Sequence, residues 1–121
     1  MRYIMLIRHD EPAMAKLTAA DWQQIAADYG AFTAAISKAD FAYRSGSRLE
    51  PSQKTRTVRV RDGQREVLDG PYADTKEQLA CYFTIDVPDL DAAIAWAARC
   101  PSARHGSVEI RPIWFETEMP K

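Results

Sequence analysis

The chain has 121 residues, of which 46% are hydrophobic and 27% charged, and we expect one globular domain spanning residues 1–121. The formal net charge of -1, from 16 Lys and Arg against 17 Asp and Glu, provides no basic field for a nucleic-acid backbone. The longest apolar run near the N-terminus, Tyr3 to Ile7, is too short for a signal sequence or a membrane span, so we expect a cytoplasmic protein with no membrane partner.

The N-terminal third predicts a strand followed by a helix. Arg2 to Arg8 is a short apolar run bounded by charge, which is typical of a strand buried on both faces. Thr18 is then placed to cap a helix, with Asp21 as the acidic third residue of a capping box. Large side chains recur along this helix at steps of three and four residues and predict one apolar stripe: Trp22, Ile25, Tyr29, Phe32 and Ile36.

The middle of the chain predicts three further strands and a tight hairpin. A strand is expected around Phe41 to Arg44, followed by a polar loop. Thr55 to Arg61 alternates, and Asp62-Gly63 is a strong hairpin signal that leads into a return strand at Glu66 to Leu68. The next strand alternates over a good length, with one face formed by Leu79, Cys81, Phe83, Ile85 and Val87.

The C-terminal third predicts a second helix and a last strand. Asp89 is placed to cap a helix over Leu90 to Arg99, which Cys100-Pro101 ends. Ser107 to Phe115 predicts the last strand. The residues expected to point inward from the helix are Leu90, Ala93, Ile94 and Ala97.

This order of elements predicts an α+β fold of the split βαβ type, with a four-stranded antiparallel sheet and both helices on one face. The other face would mix polar and large apolar groups, which is unusual for a fully solvated surface: Arg59, Arg61, Tyr82, Thr84, Glu109, Ile113 and Phe115. A second copy packed face to face would cover them, so we expect a homodimer.

Four stretches, TVRVRDG, DGPYADTKEQL, YFTIDVPDLDAAIAWAARCP and ARHGSVEIRPIW, closely resemble the DGPF family, a branch of the YCII-related proteins. The likeness covers nearly the whole chain, from the first strand to Trp114. It implies ferredoxin-like βαββαβ subunits with an extra hairpin that form a dimeric α+β barrel, a bacterial origin, and in many members a link to extracytoplasmic-function sigma factors. Wider relatives of the fold include muconolactone isomerases, a dehalogenase and monooxygenases, so the fold alone selects no reaction.

The chain departs from the family pattern at two points. The motif that names the family ends in Phe, whereas here Tyr72 follows Asp69-Gly70-Pro71. YCII-like proteins proper are thought to use a His on the first helix and an Asp just before a Pro after the second helix. Here the first helix contains no His and the residue before Pro101 is Cys100, so that pair cannot be transferred.

His9 and Asp69 are the candidate catalytic residues. His9 ends the first strand in RHDEP, where its imidazole could act as a general base that a neighbouring carboxylate orients and whose pKa that carboxylate raises; the alternative is an ordinary loop histidine. Asp69 precedes Gly70-Pro71, where it either fixes the turn through backbone amides or faces a ligand pocket.

Four more residues are candidate ligand contacts, each with a structural alternative: Tyr72, Lys76, Arg44 and His105. Lys76 could hold an anion or stay exposed, Arg44 could bind a carboxylate or a neighbouring strand, and His105 could bind a ligand or fix the turn before Gly106. No metal-ligand spacing or cofactor fingerprint occurs, so we expect neither metal nor cofactor.

These residues lead to two hypotheses. The first is a small-molecule enzyme or binder that takes a small carboxylated metabolite in a cavity near the dimer interface, with lactone isomerisation or elimination as the reaction by analogy. The alternative is a non-catalytic accessory protein that associates with a sigma factor. That alternative predicts an exposed apolar patch and an empty or collapsed cavity.

Overall fold

The computed structural model describes residues 1–39, 44–72 and 75–114, with the backbone alone at 44 and 45. The part of the predicted second strand over residues 41–43 and the end of the predicted last strand at 115 lie outside these ranges. The helices and strands are β1 (Arg2–Asp10), α1 (Glu11–Met14), α2 (Ala19–Lys38), β2 (Arg44–Arg48), β3 (Arg56–Arg61), β4 (Gln64–Asp69), β5 (Glu77–Asp86), α3 (Leu90–Arg99) and β6 (Gly106–Pro112).

Four strands form one sheet in the order β2-β5-β1-β6, and every neighbouring pair in it is antiparallel. The hairpin β3-β4 forms a separate two-stranded sheet inserted between β2 and β5. Phe32 and Ile36 of α2 share one buried cluster with Ala93 and Trp96 of α3 and with alternate β1 residues, so both helices cover the same face. The predicted α+β fold, ferredoxin-like with an extra hairpin, is confirmed.

Local signals in the sequence account for the ends of these elements. The Thr18 hydroxyl accepts from the Asp21 amide at 3.2 Å while the Asp21 carboxylate accepts from the Thr18 amide at 2.9 Å, which completes the predicted capping box of α2. Asp89 caps α3 by accepting from the Ala92 amide at 2.9 Å. Asp62 and Gly63 both have positive φ, as a tight two-residue hairpin turn requires.

A β-bulge interrupts β5 beside the end of β1. Ile7 lies opposite Cys81 but Arg8 lies opposite Leu79, so Ala80 is an extra residue without a partner on β1. The faces reverse beyond it: Gln78 is buried, and Leu79 is 37% exposed. The prediction that Leu79 points into the core was therefore wrong, because a bulge shifts the alternation by one residue.

The inward face of α3 also differs from the prediction. Ala93 and Ala97 are buried as predicted, but Leu90 and Ile94 are each 49% exposed, and Trp96 takes their place in the core. The Trp96 ring packs against Phe32 at a centroid distance of 6.2 Å. The helix presents this face because its small alanines let the backbone approach the sheet while one large ring fills the remaining space.

The face of the sheet opposite the helices is partly apolar. Since Tyr3, Met5 and Ile7 are buried under the helices, strand alternation places Ile4 and Leu6 on this open face. Leu6 pairs with Tyr82 on one side and Glu109 on the other, and Arg8 bonds Glu109 at 3.0 Å. The prediction that Arg59 and Arg61 also lie here was wrong, because both belong to the separate hairpin.

No helix in the described part of the chain combines the length and apolarity needed to cross a membrane.

Candidate functional site

A cavity of about 590 Å³ separates the first half of α2 from the sheet. The helix contributes Trp22, Ile25, Ala26 and Tyr29 to its walls. From the sheet side, the walls include His9, Arg48, Cys81 and Phe83. The volume and the mostly apolar lining are typical of a site for a small organic molecule.

The cavity exists because only the second half of α2 is packed tightly. Phe32 and Ile36 are buried, whereas Trp22, on the same predicted stripe, is 37% exposed. The helix is therefore anchored near its C-terminal end, and its apolar stripe lines the cavity toward the N-terminal end. A stripe that looks like core along its whole length in the sequence is divided between core and cavity.

Gly46 allows β2 to close one side of the cavity. A Cβ atom at this position would lie 1.4 Å from the carbonyl oxygen of Tyr82, so no other residue fits without moving the backbone of β2 or β5. The pairing of β2 with β5 shifts register at this point, between Arg44 and Ser47. This close approach brings the next residues of β2, including Arg48, to the cavity wall.

His9 is held at the cavity wall by a hydroxyl group. Its Nε2 lies 2.7 Å from Oγ of Ser102, which is almost fully buried in the turn Pro101–Arg104 after α3. The Ser102 hydroxyl in turn bonds the Tyr29 hydroxyl, and the Tyr29 oxygen lies 3.5 Å from Sγ of Cys100. β1, α2 and the turn after α3 thus meet in one chain of hydrogen bonds.

The pKa of His9 is lowered from its ordinary value of 6.5, chiefly because burial disfavours the imidazolium and further because of the charges of His105 and Arg48. His9 is therefore neutral near pH 7. Burial also raises the pKa of the Tyr29 hydroxyl and raises the pKa of the Cys81 thiol to about 11. Tyr29 and Cys81 are thus protonated and uncharged near pH 7.

Arg48 supplies a positive charge at the cavity. Its guanidinium lies over the Trp22 ring, 5.5 Å from the ring centroid, and the side chain is exposed. Across the described ranges, no carboxylate forms an ion pair with it. Arg48 is available to an anionic group that enters the cavity.

The two carboxylates that follow His9 in the sequence do not contact it. Asp10 accepts from the Ala13 amide at 3.1 Å and caps α1. Glu11 accepts from the Ser52 amide at 2.9 Å and from the Ser52 hydroxyl. The expected orienting carboxylate is replaced by the Ser102 hydroxyl, and the expected rise in the His9 pKa is a fall. In the described residues no cluster of three or more His, Cys, Asp or Glu is arranged to hold a metal ion.

Asp69 and Tyr72 lie at the base of the hairpin. The Asp69 side chain is 89% exposed and forms an ion pair with Arg56 at 3.0 Å. Tyr72 is 91% exposed, and neither residue lines the cavity. The Gly70 carbonyl between them accepts from the Thr57 hydroxyl at 2.9 Å, so the corner closes the hairpin.

The remaining predicted contacts are spread over the molecule. Lys76 is exposed, and its carbonyl accepts from the Glu11 amide at 3.0 Å. Arg44 pairs through its backbone with Thr84 on β5, and its side chain lies outside the described part of the structure. His105 is exposed, yet its amide donates to the Ser102 carbonyl at 3.1 Å and its charge is felt at His9.

Gly106 shows why β6 begins where it does. A Cβ atom there would lie 2.0 Å from the Arg8 carbonyl oxygen. Its role is therefore close approach to β1, since Gly106 is not among the glycines with positive φ. This approach places the turn with Ser102 and His105 beside His9.

Sequence reasoning did not identify three residues of the site: Ser102, Tyr29 and Arg48. Tyr29 belongs to the predicted apolar stripe of the first long helix, and Arg48 falls in the stretch predicted as a polar loop. One signal did mark the segment of Ser102. Ser102 follows Pro101 after α3, and the residue before this proline, Cys100, stands where the resemblance places the Asp of the pair in YCII-like proteins.

Comparison with known proteins agrees with the resemblance found in the sequence motifs. An uncharacterised protein of Rhizobium meliloti (strain 1021) is 41% identical over 69 residues, which is 55% of this chain and 56% of that protein's length. The chain thus matches little more than half of that relative. The model of the YCII-related domain matches residues 1–117. The chain therefore belongs to the family of proteins with a YCII-related domain.

Proposed function

We propose that the protein binds a small carboxylated organic molecule in the α2 cavity, with His9 as the group that makes the proton-transfer contact. One observation carries this proposal: a neutral, half-buried imidazole lies in the wall of a mostly apolar cavity of about 590 Å³. An imidazole that is neutral near pH 7 has one nitrogen lone pair that can accept a proton and one N–H group that can donate a hydrogen bond, without first losing a proton.

The distribution of charge supports a carboxylated ligand. Arg48 is the only cationic side chain in the cavity wall that the described ranges contain, apart from the titratable His9. Trp22 supports the guanidinium from one side, which leaves its edge for a carboxylate. The apolar groups Ile25 and Phe83 would contact the body of the ligand.

Lactone isomerisation, or elimination from a similar carboxylated compound, is the reaction that we propose by analogy with wider relatives of the fold. Both reactions move a proton next to a carbonyl group and need no redox partner. A mostly apolar cavity with one neutral imidazole and one cationic side chain provides the groups that such a reaction uses.

Binding is tested with benzoate against its uncharged analogue benzamide, by isothermal titration. Wild-type protein should bind benzoate more tightly, and Arg48→Gln should weaken benzoate alone by about tenfold or more, because a hydrogen bond to a charged group contributes about 1.5–3 kcal/mol. Arg111→Gln is the matched control, since Arg111 bonds Glu109 on β6 and does not line the cavity. Equal binding of both probes would contradict the anionic ligand.

Turnover is tested with muconolactone, followed by ultraviolet absorbance. His9→Ala should abolish conversion while the circular dichroism spectrum and the unfolding midpoint remain close to those of the wild type. His105→Asn is the control, because it retains the turn and removes the other histidine. Conversion by His9→Ala at the wild-type rate would reject His9 as the reacting group.

We also propose a homodimer built on the open face of the sheet. Tyr82 on this face is 37% exposed, and Ile4 and Leu6 are only partly buried in the single chain. A second copy would bury these side chains and surround the Arg8–Glu109 ion pair. Sedimentation at micromolar concentration should give twice the 13.7 kDa of one chain, and Leu6→Arg should give 13.7 kDa. A wild-type monomer would reject the dimer.

A second candidate function is the accessory role, in which the hairpin binds another protein such as an extracytoplasmic-function sigma factor. The observation in its favour is an exposed apolar surface on one face of the hairpin, formed by Val58, Val60 and Val67, each at least 55% exposed. The open cavity supports the first candidate instead. Titration of a purified sigma factor of this class into wild type and Val58→Lys protein tests the role, and no binding to the wild type would reject it.

A further inference from the structure

The hydrogen-bond chain behind His9 determines which of its ring nitrogens carries the proton. Nε2 faces Ser102 at 2.7 Å, and no hydrogen bond to Nδ1 occurs within the described residues. Nδ1 is therefore the nitrogen left for a ligand. Whether it donates or accepts depends on the direction in which the chain runs, because the two nitrogens of a neutral imidazole take opposite roles.

The protons of this series of hydrogen bonds can be arranged in two directions. In one, His9 donates from Nε2 to Ser102, Ser102 donates to Tyr29, and Tyr29 donates to the Cys100 sulfur. In the other, Tyr29 donates to Ser102 and Ser102 donates to Nε2 of His9. Each hydroxyl can donate and accept. Among the described residues no carboxylate accepts from Ser102 or Tyr29, so no charged acceptor fixes the direction.

The chemistry of Tyr29 favours the second direction. A phenol is a better donor than an aliphatic hydroxyl, and its ring draws on the oxygen lone pairs, which makes it a poorer acceptor. The Ser102 oxygen is also a better acceptor for its proton than a sulfur, whether that of Cys100 at 3.5 Å or that of Cys81 nearby. Burial keeps Tyr29 protonated, so this donor is present at every physiological pH.

Once Tyr29 donates to Ser102, the proton of Ser102 has one acceptor left in the chain. That acceptor is Nε2 of His9, because the Tyr29 oxygen is already acting as the donor. Ser102 is 1% exposed, so water does not offer an alternative partner. Nε2 must then carry a lone pair, and the single proton of the neutral imidazole resides on Nδ1.

We propose that Tyr29 and Ser102 are positioning residues that hold His9 as its Nδ1–H tautomer, so that its imidazole meets a ligand in the cavity as a hydrogen-bond donor. The inference rests on the proposed function for the place of the ligand. It deepens that function by naming the ligand group: a carbonyl or carboxylate oxygen that accepts from Nδ1. His9 then polarises this oxygen in its neutral form, and the first contact it makes is not that of a general base.

Nitrogen NMR of ligand-free protein tests the tautomer directly. The chain contains 2 histidines, so a His105→Asn variant assigns the signals to His9. Long-range correlations between ring nitrogens and ring protons, recorded at about pH 8 where His9 is neutral, distinguish the tautomers. Wild-type protein should show Nδ1–H as the majority form. Nε2–H as the majority form would overturn the inference.

Variants of the positioning residues separate their effect from general loss of structure. Ser102→Ala and Tyr29→Phe should each shift the majority form toward Nε2–H, the tautomer that free histidine prefers. Ser102→Thr should retain Nδ1–H, because it retains the hydroxyl. If Ser102→Ala does not fold, Tyr29→Phe gives the same information, since it removes the driving donor and leaves Ser102 in place. An unchanged tautomer in Tyr29→Phe would overturn the role of the chain.

The outcome is independent of the proposed reaction. Wild-type Nδ1–H with no binding of benzoate or turnover of muconolactone would refute the proposed function alone. Nε2–H in a protein that binds benzoate would refute this inference alone. With benzoate bound, the Nδ1 proton should move downfield, and with benzylamine, which offers no acceptor oxygen, it should not; a shift with both or with neither would contradict the assigned ligand group.

Discussion

Gly46 and Gly30 form a matched pair for testing how β2 closes the cavity. In Gly46→Ala the added carbon would meet the Tyr82 carbonyl oxygen at 1.4 Å, and this oxygen would have to retreat to beyond 3.0 Å. Both groups are backbone, so β2 must separate from β5. In Gly30→Ala the added carbon has no heavy atom within 4 Å beyond its chain neighbours and the backbone of its own helix, and the change only removes a glycine from the interior of α2.

The structure gives the size of both effects. Separation of β2 breaks the pairing of Ser47 and Arg48 with β5 and the bond from the Leu49 amide to the Ala80 carbonyl. About three hydrogen bonds of 0.5–1.5 kcal/mol each make a loss of about 1.5–4.5 kcal/mol. Gly30→Ala should instead stabilise the protein by about 0.5–1 kcal/mol.

Urea unfolding and benzoate titration measure the two consequences together. Gly46→Ala should remain folded, because none of the described β2 side chains at 46–48 belongs to the buried cluster, but it should lose benzoate binding as Arg48 moves away from the cavity. Gly30→Ala should bind benzoate as the wild type does. A Gly46→Ala protein of wild-type stability and affinity would refute the close approach of β2 to β5.

Three further changes test the core, a helix cap and the titration of His9. Phe32→Ala should cost about 3–5 kcal/mol in urea unfolding, since Phe32 is buried against three aromatic rings, and a cost below about 1 kcal/mol would contradict its place in the core. Thr18→Ala should cost about 1 kcal/mol, whereas Thr18→Ser should not, because only the alanine removes the capping hydroxyl. The unfolded chain protonates His9 near pH 6.5 while the folded chain, with its lowered pKa, does not, so this site loses folding stability as the pH falls below 6.5. In a His105→Asn background, which removes the other titrating imidazole, unfolding followed from about pH 8 to 5 should show a smaller fall in stability for His9→Gln than for His9; equal falls would refute the lowered pKa.

Features that depend only on residues adjacent in the sequence could be predicted from the sequence alone. The capping box of Thr18 and Asp21 and the turn at Asp62-Gly63 depend on neighbouring residues only, and both were predicted where they occur. The bulge at Ala80 was not predictable in this way, because a register shift is defined by the strand opposite. The inward face of α3 failed for a related reason: Leu90 and Ile94 are as apolar as the residues that are buried, and packing against Phe32 selects among them.

Of the residues in the hydrogen-bonded candidate site, the sequence predicted only His9. His9 attracts notice in the sequence as an imidazole among charges, and it lines the cavity. Its partner Ser102 lies 93 positions away, and Tyr29 lies 73 positions from Ser102, so no spacing pattern connects them. The sequence predicts a neighbouring carboxylate as the partner, yet Asp10 accepts from the Ala13 amide and Glu11 accepts from the Ser52 amide.

Departures from regular structure cluster around His9. The bulge at Ala80 shifts the alternation of β5 opposite the end of β1, so that Gln78 lies opposite His9. Gly46 brings β2 onto β5 at the other side of the cavity, and Gly106 brings β6 onto β1 next to the Ser102 turn. Irregularities of this kind weaken a sheet, and they persist where they place side chains that regular strands could not. These irregularities lie at one cavity, whereas the hairpin that ends at Asp69 is regular and, like Tyr72, exposed. This contrast supports His9 as the centre of function, and it depends neither on the pKa of His9 nor on the family.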